Sequence, residues 1–160
     1  MSLYTTTDGR IGRQQWWIGV IVLVVINIAI TIVLGLVFGL WNNMQVAAWV
    51  STILFLIFAY PIYALYVKRR HDRDNNGLDA LIFMAILVVQ FVLQALGISV
   101  SPQEIPNVGT VMMPNIIGQV IGVITLVYGI YMLVVMGFLR GTVGPNQYGP
   151  DPVGGATAAA

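Results

Sequence analysis

Residues 14–67 carry not one charged side chain. A transmembrane helix needs about 20 predominantly apolar residues, so this stretch is too long for one span and long enough for two with a turn between them. Trp41, Asn42, Asn43, Met44 and Gln45 supply that turn. Lipid offers no partner to backbone N–H and C=O groups, and a lone span must therefore be a helix that satisfies them internally. Composition leads to the same class. Of the 160 residues 58% are hydrophobic and 8% charged, against about 25% charged in a soluble domain. So few charges cannot cover a water-soluble globule, but they suffice for the ends of a membrane bundle.

The rest of the chain repeats the pattern. Residues 68–79 concentrate four of the seven basic residues, the single histidine and three of the six acids, and read as a loop fixed at a membrane face. Residues 80–100 form a third span. Pro102, Pro106, Asn107, Gly109 and Pro114 then break helical continuation and specify a connecting loop. Residues 115–139 form a fourth span, closed by Arg140 and Gly141. The predicted fold is an all-α membrane protein with four transmembrane helices, at residues 17–40, 46–67, 80–100 and 115–139. They belong to a single domain of residues 1–152, followed by a disordered tail at 153–160. The first apolar segment exceeds the roughly 7 to 15 residues of a signal-peptide core, so it is expected to be a retained anchor.

Four spans put both termini on one side. Arg10, Arg13, Lys68, Arg69, Arg70, Arg73 and Arg140 all fall there, and the opposite loops hold no Lys or Arg. Such a split places both termini and the charged run in the cytoplasm by the positive-inside rule. Trp16 and Trp17 at the inner end, and Trp41 and Trp49 at the outer end, suit interfacial depth. Tyr60, Tyr63 and Tyr66 line the inner third of the second span, at headgroup depth.

Gly35 and Gly39 lie four apart near the outer end of the first span, as do Gly118 and Gly122 near the outer end of the fourth. Small residues at this spacing let helices approach closely, which predicts contact between these two spans. Pro61 removes a backbone hydrogen bond from the second span and predicts a kink. No Asp, Glu, Lys, Arg or His lies inside a span, which argues against a coupled transporter built from one chain. Asn27, Gln90, Gln94 and Gln119 are the strongest buried polar groups, and interhelical hydrogen bonds are their commoner use.

Chemistry has few candidates. The absence of cysteine excludes disulfides, thiolate metal sites and cysteine nucleophiles. His71 and Asp72 invite a base-and-acid reading, but sequence neighbours usually point apart. One histidine with Asp72, Asp74 and Asp79 has no metal-site spacing. No metal, cofactor or nucleic acid is expected. Asp74, Asn75 or Asn76 can cap the third helix, and Asp79 falls in its first turn, where its charge meets the helix dipole favourably. The Gly, Pro, Asn and Asp of residues 141–152 specify tight turns, with Tyr148 able to dock.

Three cytoplasmic pieces carry a resemblance. Gly9, Arg10, Ile11, Gly12 and Arg13 precede an aromatic pair. A basic run leads into His71 and Asp72, with Gly77 before the third span. Gly141 and Thr142 lead to Asn146, Tyr148, Gly149 and Pro150. In this order they resemble the YhaH-like inner-membrane family, Domain of Unknown Function 805, from about Asp8 to Pro152, with departures at Arg70, Asp74 and Leu78. The resemblance implies a small bacterial inner-membrane protein of no established activity.

The leading functional expectation is a non-enzymatic module whose basic cytoplasmic face binds anionic lipid or a partner protein. Arg10, Arg13, Lys68, Arg69, Arg73 and Arg140 emerge in one interfacial layer, where the acids present are too few to saturate them. Arg69 and Arg73 are expected to hold a headgroup phosphate, with Arg13 contributing and Tyr148 covering the site. The alternatives are a small transporter or channel formed by a homo-oligomer and lined by Gln90, Gln94, Asn27 or Gln119, and a lipid-modifying enzyme using His71 and Asp72.

Overall fold

The computed structural model describes residues 3–39 and 43–154. Leu40 at the end of the expected first span, Trp41 and Asn42 of the expected turn, and residues 155–160 of the expected tail lie outside the described residues. Four helices are long and apolar enough to cross a membrane. α1 is Arg13–Phe38, α2 is Met44–His71, α3 is Leu78–Ala95, and α4 is Ile116–Leu133, which runs on into a π-helical turn at Val134–Phe138.

Each helix end has a local cause. The Gly12 N–H donates to Gln15 Oε1 at the start of α1, and Gly39 ends that helix in the left-handed conformation, φ 60. Gly39 is thus the terminator of α1. Asn43 caps α2 by accepting from the N–H groups of Gln45 and Val46. α2 passes through Pro61 unbroken and ends only at His71, so Lys68, Arg69, Arg70 and His71 are its last turn and not a loop. Cations at a helix C-terminus are favoured by the dipole and by the free carbonyls there, which is why the helix outlasts the apolar stretch. Asn76 accepts from the Leu78 N–H where α3 begins, Asp79 sits in its first turn, and Asn115 caps α4 through the Gly118 N–H.

The expected loop at residues 101–114 is a β-hairpin, so the fold is not purely helical. β1 (Val100–Ile105) pairs antiparallel with β2 (Gly109–Pro114), in a register running from Val100 opposite Pro114 to Ile105 opposite Gly109. A two-stranded ribbon has two open edges, where proline costs no ladder bond. Pro102 and Pro114 therefore do not prevent it, and Asn107 at φ 66 supplies the turn.

α2 packs against α1 on one side and α3 on the other, and α4 packs against α3. α1 meets the π-helical turn but shares at most a marginal contact with the body of α4. Among the described residues, the expected glycine-mediated packing of the first and fourth spans does not form an extensive contact. An added Cβ at Gly122 meets nothing within 4 Å, and one at Gly118 meets the Ser99 carbonyl and Pro114. Gly35 is buried in α1. A close helix–helix approach lies at the end of the bundle that carries the charged residues, where a Cβ on Gly19 would fall 2.7 Å from Leu65. That end also holds the core of Ile11, Trp16, Leu65, Phe83, Met132 and Met136. A file of rings crosses all four helices there, Trp16 to Tyr66 at 6.0 Å, Tyr66 to Phe83 at 6.3 Å and Phe83 to Tyr128 at 5.5 Å. Each spacing is within the range of favourable aromatic pairs, worth about 0.5–1.5 kcal/mol beyond burial. Tyr66 is thus a core ring as well as a residue near the helix end.

Candidate functional site

The charged layer is organised around Asp72, the residue that closes α2. Its carboxylate is buried between two arginines, accepting from Arg10 at 3.0 Å on Oδ1 and from Arg69 on Oδ2. Arg10 comes from the segment before α1. Its guanidinium also donates to the carbonyls of Thr142 and Gly144, both at 2.8 Å, and of Gly149 at 3.2 Å. With Nε on Asp72 as well, its five N–H groups are taken up. The Thr142 N–H and Oγ1 both donate to the Asp72 carbonyl, at 2.8 and 3.1 Å. Arg10 and Asp72 therefore fasten the N-terminal segment, the end of α2 and the chain after α4 to one another.

A second set of cations caps α4. Arg73 donates to the Val135 carbonyl at 3.2 Å, Arg69 Nε to Met136 at 2.8 Å, Trp17 Nε1 to Gly137 at 3.2 Å and Arg13 to Phe138 at 3.0 Å. Arg69 reaches Leu139 as well. Five successive carbonyls at a helix C-terminus, where no intrahelical N–H remains to serve them, are thus each served by a side chain. The negative end of the dipole lies among the arginines. Elsewhere in the layer, Arg70 pairs with Asp79 at 2.8 Å, and Asp79 also accepts from Tyr131. Lys68 Nζ donates to the Leu3 carbonyl.

This geometry revises the expected phosphate site. Arg69 is fully buried with partners on Nε and both terminal nitrogens, so it has no face to offer a headgroup from solvent. Arg10 is saturated. Arg73 leans on the π-helical turn. The Tyr148 ring is stacked on His71, 3.8 Å away at an interplanar angle of 3°. The cations are compensated mainly by backbone carbonyls, which a tally of acidic side chains leaves out.

His71 and Asp72 do not form a dyad. His71 Nδ1 donates to the Gly9 carbonyl at 3.2 Å, Asn146 Nδ2 donates to the His71 carbonyl at 2.9 Å, and the Asp72 carboxylate belongs to the arginines. Nor do the membrane amides converge on one path. Gln90 accepts from Thr125 and, with Gln94, lines a cavity of about 120 Å³ beneath the hairpin. Gln119 donates to the Pro114 carbonyl, and Asn27 lies in a separate groove.

What remains open is a cavity of about 240 Å³ at the charged end of the bundle, between the start of α1 and the chain leaving α4. Arg13, Arg140, Gly141, Thr142 and Asp151 line it, with Arg69 and Asp72 in its wall. Arg140 is exposed and has no partner among the described residues; Arg13 spends one N–H on Phe138. Asp151 is held on the opposite rim. The N–H groups of Val153 and then Gly144 keep its carboxyl below the ordinary value. Thr142, Asn146 and Gly141 were not singled out in the sequence as holding the layer together. Their signal was the Gly-Thr pair directly after the last span and the Asn-Gln-Tyr-Gly turn, whose ends pair as Asn146 and Gly149.

The family profile described as "Protein of unknown function (DUF805)" matches residues 4–150. Two similar proteins are both described as "Inner membrane protein YhaH", from Escherichia coli strain K12 and Escherichia coli O157:H7. Each is 24% identical over 151 residues, covering 93% of this chain and 88% of the relative. No solved structure matches the chain. The four apolar helices and these relatives place the chain in a bacterial inner membrane as a multi-pass protein.

Proposed function

This chain belongs to the DUF805 family, and within it we propose that the protein is a non-enzymatic membrane module whose cytoplasmic face binds the phosphate of an anionic lipid headgroup. In this reading both termini and the Arg10–Asp72–Arg69 layer are cytoplasmic, as the one-sided distribution of basic residues favours. The observation that carries it is Arg140. It is an exposed guanidinium without a partner among the described residues, sharing a cavity with Arg13, which has four N–H groups to spare. Arginine forks match phosphate oxygens better than lysine does. The buried arginines are the scaffold of the site, and the two at the cavity mouth are its ligands.

Lipid-dependent melting or native mass spectrometry tests this in the full chain. Preference for phosphatidylglycerol over phosphatidylethanolamine should fall about fivefold for each of Arg13→Gln and Arg140→Gln, from roughly 1 kcal/mol per basic residue near an anionic surface. Lys68→Gln should change it less. A parent protein with no anionic preference would sink the proposal and bring a partner protein forward as what the face recognises.

A further inference from the structure

α1 is the least enclosed span: 11% of its apolar window is buried, against 22% or more in each of the others. Its inner end is held by Leu65 and the π-helical turn. Further out, where α1 and α4 share at most a marginal contact, an apolar groove of about 460 Å³ opens beside α1. Val20, Val24, Asn27 and Thr31 line it from α1, with Phe55 of α2 and Phe91 of α3 behind.

One group in that groove is out of place. The side-chain amide of Asn27 has no hydrogen-bond partner among the described residues; its backbone carbonyl alone is used, by Thr31 Oγ1. Ten residues of helix separate Asn27 from Trp17, whose indole suits the interface, about 15 Å at 1.5 Å per residue. The amide therefore lies near the middle of a hydrocarbon core about 30 Å thick, where no water reaches it and an unpaired amide is costly. An acyl chain brings no hydrogen-bonding group to that depth. A second copy of this chain does.

We propose that this face of α1 is the contact surface of a homodimer in which Asn27 pairs with Asn27 of the partner subunit. Copies inserted in one membrane share one sidedness, so a two-fold axis between them runs along the membrane normal and sets each residue opposite its own equivalent at the same depth. An amide is self-complementary across such an axis, each Nδ2 donating to the other Oδ1. Val24, Ile28 and Thr31 flank it with β-branched side chains that have little rotamer freedom to lose. No charge on this stripe opposes the approach.

The absence of cysteine makes the test direct. Val24→Cys and Thr31→Cys, each with Asn27 retained, should form a disulfide-linked dimer on oxidation in vesicles of phosphatidylethanolamine and phosphatidylglycerol. Val33→Cys, on the opposite side of α1, should not. Asn27→Leu should weaken the dimer about three- to thirtyfold while melting like the parent, and Asn27→Gln should keep most of the association. Equal cross-linking at position 33, or a dimer untouched by Asn27→Leu, overturns the proposal. So does a chain that stays monomeric with a co-purifying lipid lost on Asn27→Leu, which would assign the groove to that lipid.

Discussion

The backbone of Gly141 lies against the carboxylate of Asp72 so closely that a Cβ at position 141 would clash with it. The chain leaves α4 there in an extended conformation and must pass over a buried anion held by two arginines. Only glycine permits that path. Gly141→Ala should therefore push Asp72 out of line with Arg10 and Arg69, at a cost of about 1–3 kcal/mol for overpacking. A melting temperature in detergent lower by several degrees is the expected outcome, and an unchanged one would mean that the loop does not cross Asp72.

Asp151 gives the same segment a dependence on pH. The N–H groups of Val153 and Gly144 hold its carboxyl below its ordinary value of 3.8, so the folded chain gives up this proton more readily than the unfolded one. Its stabilisation is present in full above that ordinary value, and is lost as pH falls below 3.8 and on through the lower folded value. Melting of the full chain, followed from about pH 6 to about pH 2, should show a loss that Asp151→Asn lacks.

Orientation is open to the same cysteine-free background. With both termini and the end of α2 in the cytoplasm, a cysteine at Asn107 in the hairpin turn should react with an impermeant thiol reagent in intact cells. One at Asn76 should react only after lysis. Labelling at position 76 from outside would invert the topology and the direction of the positive-inside argument.

The spans were legible because uncharged length alone determines them. Residues 14–67 can only be two helices in lipid, and Asn43 and Asn115 mark where helices restart. The hairpin was not, because Pro102 and Pro106 read as breakers, and sequence does not say whether a proline will face an open strand edge. Spacing likewise shows that Gly35 and Gly39, or Gly118 and Gly122, share a helix face, but not that Gly39 terminates its helix or that Gly122 faces nothing. Gly118 is close to the Ser99 carbonyl instead of another helix, and Gly19, with no partner glycine, makes the close contact between α1 and α2. How the cations are compensated is not legible in the sequence, because the carbonyls of residues 135–139 that accept from Arg73, Arg69, Trp17 and Arg13 are anonymous there. Their availability depends on where α4 ends in space.

That dependence on carbonyls makes Arg10 irreplaceable by a residue of equal charge. Its planar fork serves Asp72, Thr142, Gly144 and Gly149 at once, whereas lysine has three donors on one nitrogen and cannot span them. Arg10→Lys keeps a cation near Asp72 but strands at least some of the turn carbonyls. Each buried acceptor left unpaired costs about 1–3 kcal/mol. The segment from Gly141 to Gly149 should then open more often. Hydrogen exchange at the Thr142, Gly144 and Gly149 amides should accelerate roughly tenfold to hundredfold, while the hairpin amides at Gln103 and Val111, far from Arg10, keep their rates. Equal protection in Arg10→Lys and the parent would mean that charge alone holds the C-terminal segment, and that the five-donor geometry is incidental.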